Sequence, residues 1–327
     1  MGLNVIDDTE KVNLGPSEDG TYKGAMGGTE MMDIGLRERV DKDLLEQFYI
    51  IKSRVRWTDP KKKNILWLHD TWDDPESQHL KDKDSLARFA KLVFVSNWQL
   101  STYNMGLGVP YHNSVVLKNA IDPITLHKDD KGKEGDPIRV IYHTTPHRGL
   151  NLLYAAMNEI AGRLGDKVHL DVYSSFEAYG WKERDKPYEE LFQLIKDHPQ
   201  MTYHGYKPNA VVREALRKAH IFGYPSIWPE TSCISAIEAM SAGCEVVCSN
   251  LAALPETTGC FSRMYQFSED MNTHANIFAN ELWASIQNFW DENNQRKIAF
   301  AKNWTDNFYN WDNRAAEWTD LLQGLTK

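Results

Sequence analysis

The sequence predicts an α/β fold assembled from parallel strand–helix units. Three observations point there. First, His220-Ile-Phe-Gly-Tyr-Pro225 is a short apolar run of the kind a buried strand shows, and a polar turn, Trp228-Pro-Glu-Thr-Ser232, follows it. Ile234, Ile237 and Met240 then recur at helical spacing, and a second apolar run spans Cys244 to Ser249. Strand, loop, helix and strand in that order make one turn of an open parallel sheet. Second, short apolar runs alternate with helical stretches along the chain. Third, a charged, Gly-containing stretch from His127 to Asp136 divides the 327 residues into two parts, each large enough for its own core.

Taken in order, Leu3 to Ile6 reads as a short first strand and Asp7 to Tyr22 as a polar loop. Gly27-Gly28 opens a helix through Met32, Leu36 and Val40, with Thr29 as its cap. Phe48 to Ile51 and Ile65 to Leu68 are strands, the second ending in His69-Asp70. A charged helix is expected over Ser77 to Lys91, a strand over Leu92 to Ser96, a helix from Asn97-Trp98 and a strand over Val115 to Leu117. Beyond the linker come a strand at Ile138 to Tyr142 and a helix through Leu153 and Met157. Strands at Val168 to Tyr173 and Met201 to His204 flank a helix at Tyr188 to Lys196, and Asn209 to His220 is helical. The next helix starts near Ser232, capped by Thr231 or Ser232 and ended by Gly243. Leu282 to Phe289 and Gln295 to Phe308 are helices, and Trp311, Ala315 and Trp318 share one face of a last helix.

Composition narrows the function classes. A net charge of −9 argues against binding bulk nucleic acid or an anionic membrane through a generic basic face, but leaves room for a local basic patch and peripheral membrane contact. No apolar run approaches roughly 18 residues and no basic segment precedes an apolar one at the start, so no span and no signal peptide are expected. The four cysteines, Cys233, Cys244, Cys248 and Cys260, match no zinc spacing and read as buried free thiols of a reducing, cytoplasmic compartment. Asp41-Lys-Asp43 and Asp82-Lys-Asp84 imitate a D-x-D metal motif but fall in charged helical stretches, so both are read as solvated faces and no metal is expected.

The candidate site centres on two carboxylates. Glu230 sits in the loop ahead of a helix and Glu238 inside that helix, on the order of 8–10 Å from its start. Between them the helix N-terminus offers unpaired N–H groups and partial positive charge, suited to phosphate. A hydroxylated ring at each end with a diphosphate between them is a nucleotide sugar. The Gly27-Gly28 pair at a helix start also lets backbone N–H groups approach a phosphate, although G-x-G-x-x-G is absent. His69 stands at a strand's carboxyl end, where open α/β sheets bind ligands, and Lys207 follows a strand facing the same crevice.

The stretch carrying Pro225-Ser226, Glu230, Glu238-Ala-Met240, Gly243 and Val246-Val247 resembles the nucleotide-sugar signature of family 4 glycosyltransferases. Gly27-Gly28-Thr29-Glu30 resembles the family's Gly-Gly-x-Glu loop, and Asn119-Ala-Ile-Asp122 its Asn-Gly-x-Asp junction. Arg148-Gly149 lies where the family has Lys-Gly, whose cation binds the diphosphate. Two positions depart: Cys233 stands where Gly is usual, and His143 where Arg is usual. The second departure implies a weaker or pH-dependent clamp, since a free histidine is neutral above about pH 6.5.

The resemblance implies the GT-B architecture, two Rossmann-like domains facing across a cleft. Residues 1–127 would form the acceptor-side domain, 137–305 the nucleotide-sugar domain, and 306–327 a helix returning to the first domain. It implies a retaining, metal-independent transferase that needs no cofactor. The donor would be a UDP- or GDP-sugar and the acceptor a glycan or other hydroxyl compound. Glu230 and His69 would lie at the reaction centre. Gly27, Gly28, Arg148, His143, Lys207 and the backbone at Cys233-Ile234 would meet the diphosphate side, and Glu238 the ribose. Two other readings are a nucleotide-sugar epimerase on a similar fold and a catalytically silent glycan-binding module; the intact pair of glutamates argues against the latter.

Overall fold

The computed structural model describes residues 26–326. The expected strand at Leu3 to Ile6 and the loop at Asp7 to Tyr22 lie outside the described residues.

The first sheet follows α1 (Gly28–Arg39) and α2 (Lys42–Leu45). It holds β1 (Phe48–Lys52), β2 (Lys63–Leu68), β3 (Lys91–Phe94) and β4 (Ser114–Val116), all parallel and in that spatial order. The short α3 (Lys83–Leu86) precedes β3, and α4 (Asn97–Leu107) follows it. Alternation along β2 divides the core: Ile65 and Trp67 meet Met32 and Leu36 on one face, while Leu66 and Leu68 meet Leu100 and Tyr103 on the other. A strand buried on both faces reads as a continuous apolar run, as Ile65 to Leu68 does.

The second unit alternates β5 (Ile138–Tyr142), α5 (Leu150–Leu164), β6 (Val168–Val172), α6 (Glu189–Asp197), β7 (Met201–Tyr203), α7 (Asn209–Lys218), β8 (Ile221–Tyr224), α8 (Ile234–Ser241), β9 (Glu245–Ser249), α9 (Leu254–Thr258) and β10 (Arg263–Tyr265). Its six strands lie in the order β10-β9-β8-β5-β6-β7 and all pair in parallel. The order reverses between β8 and β5, which makes a topological switch point and a crevice beyond the carboxyl ends of those strands. Helices α10 (Met271–Gln287) and α11 (Glu292–Phe308) complete this unit.

Helix α12 (Trp311–Thr326) returns to the first sheet. Trp318 is fully buried and meets Trp67 edge-on, with ring centroids 4.9 Å apart. Gly35 makes room for this return, because a Cβ there would lie 2.0 Å from the Trp311 ring. The two chain crossings run side by side: Ile121 N–H donates to Tyr309 O at 2.7 Å. Glu256 joins the halves again by accepting from the N–H groups of Asn97 (2.9 Å) and Trp98 (3.0 Å) at the start of α4. Among the described residues, no helix is long and apolar enough to cross a membrane.

Several local expectations need correction. Helix α8 begins at Ile234 with Cys233 as its N-cap, and no side chain caps it. Thr231 donates instead to His69 O, and so serves the junction between the two halves. Thr29 is not the cap of α1 but its second residue; the N-cap is Gly27, and again no side chain caps the helix. The charged helix expected over Ser77 to Lys91 is a 3₁₀ segment (Pro75–Lys81), then α3, then the start of β3. Asp82 breaks it by accepting from Asp84 N–H at 3.0 Å, and Asp41 caps α2 by accepting from Leu44 N–H at 2.9 Å. The first aspartate of each D-x-D sequence is therefore a helix cap. Cys260 is exposed, unlike the three buried thiols.

Candidate active site

The loops leaving β5 and β8 meet at the switch point. Gly149, at φ +112°, lets them touch: a Cβ there would sit 2.2 Å from Pro225 O. This close approach brings Arg148 and Glu230 together. Arg148 Nη1 and the Tyr224 hydroxyl both donate to Glu230 Oε1. Arg148 Nε also donates to Thr145 Oγ1 at 3.1 Å. Burial opposes the guanidinium's charge, but the adjacent Glu230 carboxylate outweighs it and holds Arg148 firmly protonated. Burial, and then the same carboxylate, push the Tyr224 phenol well above its ordinary range, so it remains a donor.

Glu238 lies one turn into α8 and is 3% exposed. Its carboxylate accepts from Asn209 Nδ2 at 3.1 Å on both oxygens and from Arg213 Nη1 at 3.0 Å on Oε1. Burial raises its pKa, while Arg213 and Asn209 pull it back.

A cleft of about 140 Å³ runs between the halves and is lined by Gly27, Gly28, His143, Lys207, Ile234, Ser235 and Glu238, among others. Two helix N-termini converge there. Gly28 begins α1, Ile234 begins α8, and a Cβ on Gly28 would lie 3.0 Å from Ile234 Cδ1. Among the described residues neither end has a side-chain cap, so first-turn N–H groups of both helices are open to a ligand acceptor. Tyr179 closes one side. Its ring would meet a Cβ on Gly27 at 2.5 Å, and Met26 N–H donates to Ala178 O at 2.8 Å. Larger hollows of about 490 Å³ and 450 Å³ lie beside the 129–137 linker and beside β1, but neither holds the carboxylate pair or a free helix start.

The histidines behave differently from the sequence expectation. Burial pushes His143 and His69 down to about 3. His143 is therefore neutral at and well below pH 6.5 and is not a switchable cation. Among the described residues, Nε2 of each ring is shut off from solvent and has no partner. His69 packs against Trp67 at 4.8 Å and touches the second half through its carbonyl and Thr231.

The structure thus brings Gly27, Gly28, His143, Lys207, Ile234 and Glu238 to one cleft. Arg148, Glu230, Cys233 and His69 lie outside its lining; Glu230 and Cys233 are buried and Arg148 is part-buried. Sequence reasoning missed Tyr179, Tyr224, Asn209 and Arg213. Only the last two carried a local signal, being four apart on one face of a polar helix.

Two parallel α/β units, joined by two adjacent crossings and facing each other over a switch-point cleft, define a protein of the GT-B fold. Residues 124–262 match the family described as glycosyl transferases group 1. Among solved structures, a glycosyltransferase from Rickettsia africae ESF-5 is similar at TM-score 0.68 and 15% identity, covering 92% of this chain and 80% of that one. Anabaena HepE, solved with UDP and glucose, is similar at TM-score 0.62 and 15% identity, covering 80% and 72%. The pneumococcal O-GlcNAc transferase GtfA, solved with UDP and GlcNAc, is similar at TM-score 0.61 and 11% identity; the match covers 81% of this chain but only 53% of GtfA. At these identities the likeness establishes the fold. No curated protein matches the chain in sequence.

Proposed function

We propose that this chain is a retaining, metal-independent glycosyltransferase of family 4 type, moving a hexose from a UDP- or GDP-sugar to a hydroxyl of a glycan or glycoconjugate. The observation that carries this reading is the meeting of two uncapped helix N-termini, one from each half, beside a buried carboxylate. A diphosphate between Gly28 and Ile234-Ser235 satisfies the free N–H groups of both ends and draws on both helix dipoles. Glu238 then accepts from ribose hydroxyls, since a carboxylate among N–H donors remains an acceptor for O–H groups.

Catalysis in this scheme is preorganised stabilisation of the departing diphosphate. The helix ends supply N–H donors, neutral His143 supplies a further polar contact, and Lys207 and Arg148 supply positive charge. Glu230 shares Oε1 between Arg148 and Tyr224, which fixes its carboxylate and supports its reading as the partner of the donor sugar. The acceptor hydroxyl enters on the face that the diphosphate leaves, and its proton passes to a leaving phosphate oxygen, so the new bond keeps the anomeric configuration. Metal independence is supported by the use of Asp41 and Asp82 as helix caps. A cleft of about 140 Å³ is smaller than the roughly 300–1,000 Å³ of typical ligand sites, so donor entry requires the halves to part or the Tyr179 segment to shift.

The test combines calorimetry against UDP, GDP and their sugars, with and without EDTA, and NMR of products from a labelled donor. The expected result is EDTA-insensitive donor binding and transfer with the anomeric configuration kept. An isomerised donor sugar would identify an epimerase. Binding without turnover, or an inverted product, would overturn the reading.

A further inference from the structure

The polar surroundings of Glu238 extend beyond the cleft. Arg213 is forked between two partners: Nη1 donates to Glu238 Oε1 at 3.0 Å, and Nη2 donates to the backbone carbonyl of Asp122 at 2.6 Å. Asp122 belongs to the first crossing between the halves. Its carboxylate takes Arg39 Nη2 at 2.9 and 3.0 Å, and Arg39 ends α1, the helix whose first residue lines the cleft. Arg39 also lies over the Trp311 ring at 5.3 Å, which holds its guanidinium in place although the Asp122 side chain is exposed.

A carboxylate inside a helix and almost without solvent has two ways to fail as a ligand group. It can take up a proton, or it can rotate to find other donors. Asn209 alone supplies one neutral amide to both oxygens. Arg213 adds a charge, and because its second nitrogen is held by a carbonyl, the guanidinium plane is fixed and Oε1 is fixed with it. Oε2 is left with acceptor capacity beyond the Asn209 contact.

We propose that Arg213 is the positioning residue for ribose recognition: anchored on the Asp122 carbonyl, it orients the Glu238 carboxylate toward the sugar hydroxyls of the bound nucleotide. This rests on reading Glu238 as the ribose partner. Arg213 itself does not line the cleft. Its removal therefore weakens only what the ribose hydroxyls contribute.

The test measures UDP and GDP against their 2′,3′-dideoxy analogues by calorimetry, in the full chain and its variants. The wild-type protein is expected to prefer the ribonucleotide by about tenfold or more, the scale of charge-assisted hydrogen bonds. Arg213→Met should reduce that preference to under about threefold, with dideoxy affinity unchanged within about twofold. Arg213→Lys, which keeps the charge but not the fork, should fall between them. On a Glu238→Gln background, Arg213→Met should cause no further loss of preference. An unchanged preference in Arg213→Met, or equal weakening of both nucleotides, overturns the role. If Arg213→Met fails to fold by circular dichroism, Arg213→Lys decides, and full preference there overturns it. A wild-type protein that binds nucleotide with no preference for ribose removes the Glu238 reading itself, and the role of Arg213 falls with it.

Discussion

Gly149 and Pro225 are in such close contact that a single added methyl carbon would lie 2.2 Å from the Pro225 carbonyl oxygen. The two residues belong to the loops after β5 and β8, and their contact sets Arg148 against Glu230. Gly149→Ala must therefore strain a backbone at φ +112° and also push the loops apart. It is expected to destabilise the protein by about 2 kcal/mol or more and to weaken nucleotide-sugar binding. Gly108→Ala is the control, since its backbone is also left-handed, at φ +71° and ψ 20°, and nothing lies within 4 Å. Chemical denaturation of both variants should show the smaller loss at Gly108.

The Arg148–Glu230 pair is largely withdrawn from solvent, Glu230 buried and Arg148 part-buried, with side-chain exposures of 7% and 18%. Removing one partner leaves the other charge without compensation. Arg148→Met is expected to cost about 3–5 kcal/mol, and the double variant Arg148→Met/Glu230→Gln to recover much of it. Urea unfolding of the two single variants and the double variant checks this. Additive losses would show that the pair is not coupled.

The two glutamates should separate by ligand. Glu238→Ala is expected to weaken both the nucleotide sugar and the bare nucleoside diphosphate, by about 1.5–3 kcal/mol for each hydrogen bond lost. Glu230→Ala should spare the bare diphosphate while cutting donor-sugar binding and turnover. A fall in turnover larger than the fall in affinity would place part of the Glu230 effect in the transition state. Equal loss of the bare diphosphate in both variants would contradict the assignment.

Stability should fall with acid in a window set by histidines. Burial holds His69, His143 and His147 at about 3 and His220 at about 4. In the unfolded chain each returns to about 6.5 and binds a proton the folded state refuses. Their neutral burial carries no penalty above pH 6.5, and stability declines as pH falls from there toward 4. The slope is up to about 1.4 kcal/mol per pH unit for each histidine. His147 stacks on Phe176 with centroids 5.1 Å apart, so His147→Phe keeps the contact and removes one titrating group. Unfolding free energies at pH 7.5 and 5.0 should differ less in that variant than in the wild-type protein.

Much of the architecture was legible in the residues. The apolar run Ile138 to Tyr142 is β5 without change of boundary, and the spacing of Trp311, Ala315 and Trp318 foretold a helix with one buried face. These features come from periodicity, which neighbouring residues impose on one another. Glu238 reads as helical for the same reason, but the sequence set it on the order of 8–10 Å from the helix start, whereas α8 begins at Ile234 and leaves it one turn in. Capping was read less well. Thr231 and Thr29 have the chemistry of caps, but a hydroxyl takes the partner that the assembled protein presents, and Thr231 found His69 O.

The ionic layout was decided by tertiary structure alone. Arg148 and Glu230 are 82 residues apart, and Arg213 and Glu238 are 25 apart. No local period links such positions. They meet because parallel β5 and β8 adjoin at the switch point, and because α7 and α8 pack beside each other. The acidity of His143 was likewise set by what the fold places around it. The sequence identified Arg148, Glu230 and Glu238 but not Arg213 or Tyr224, because packing across the sheet chose their partners, their charge and which of them reach the cleft.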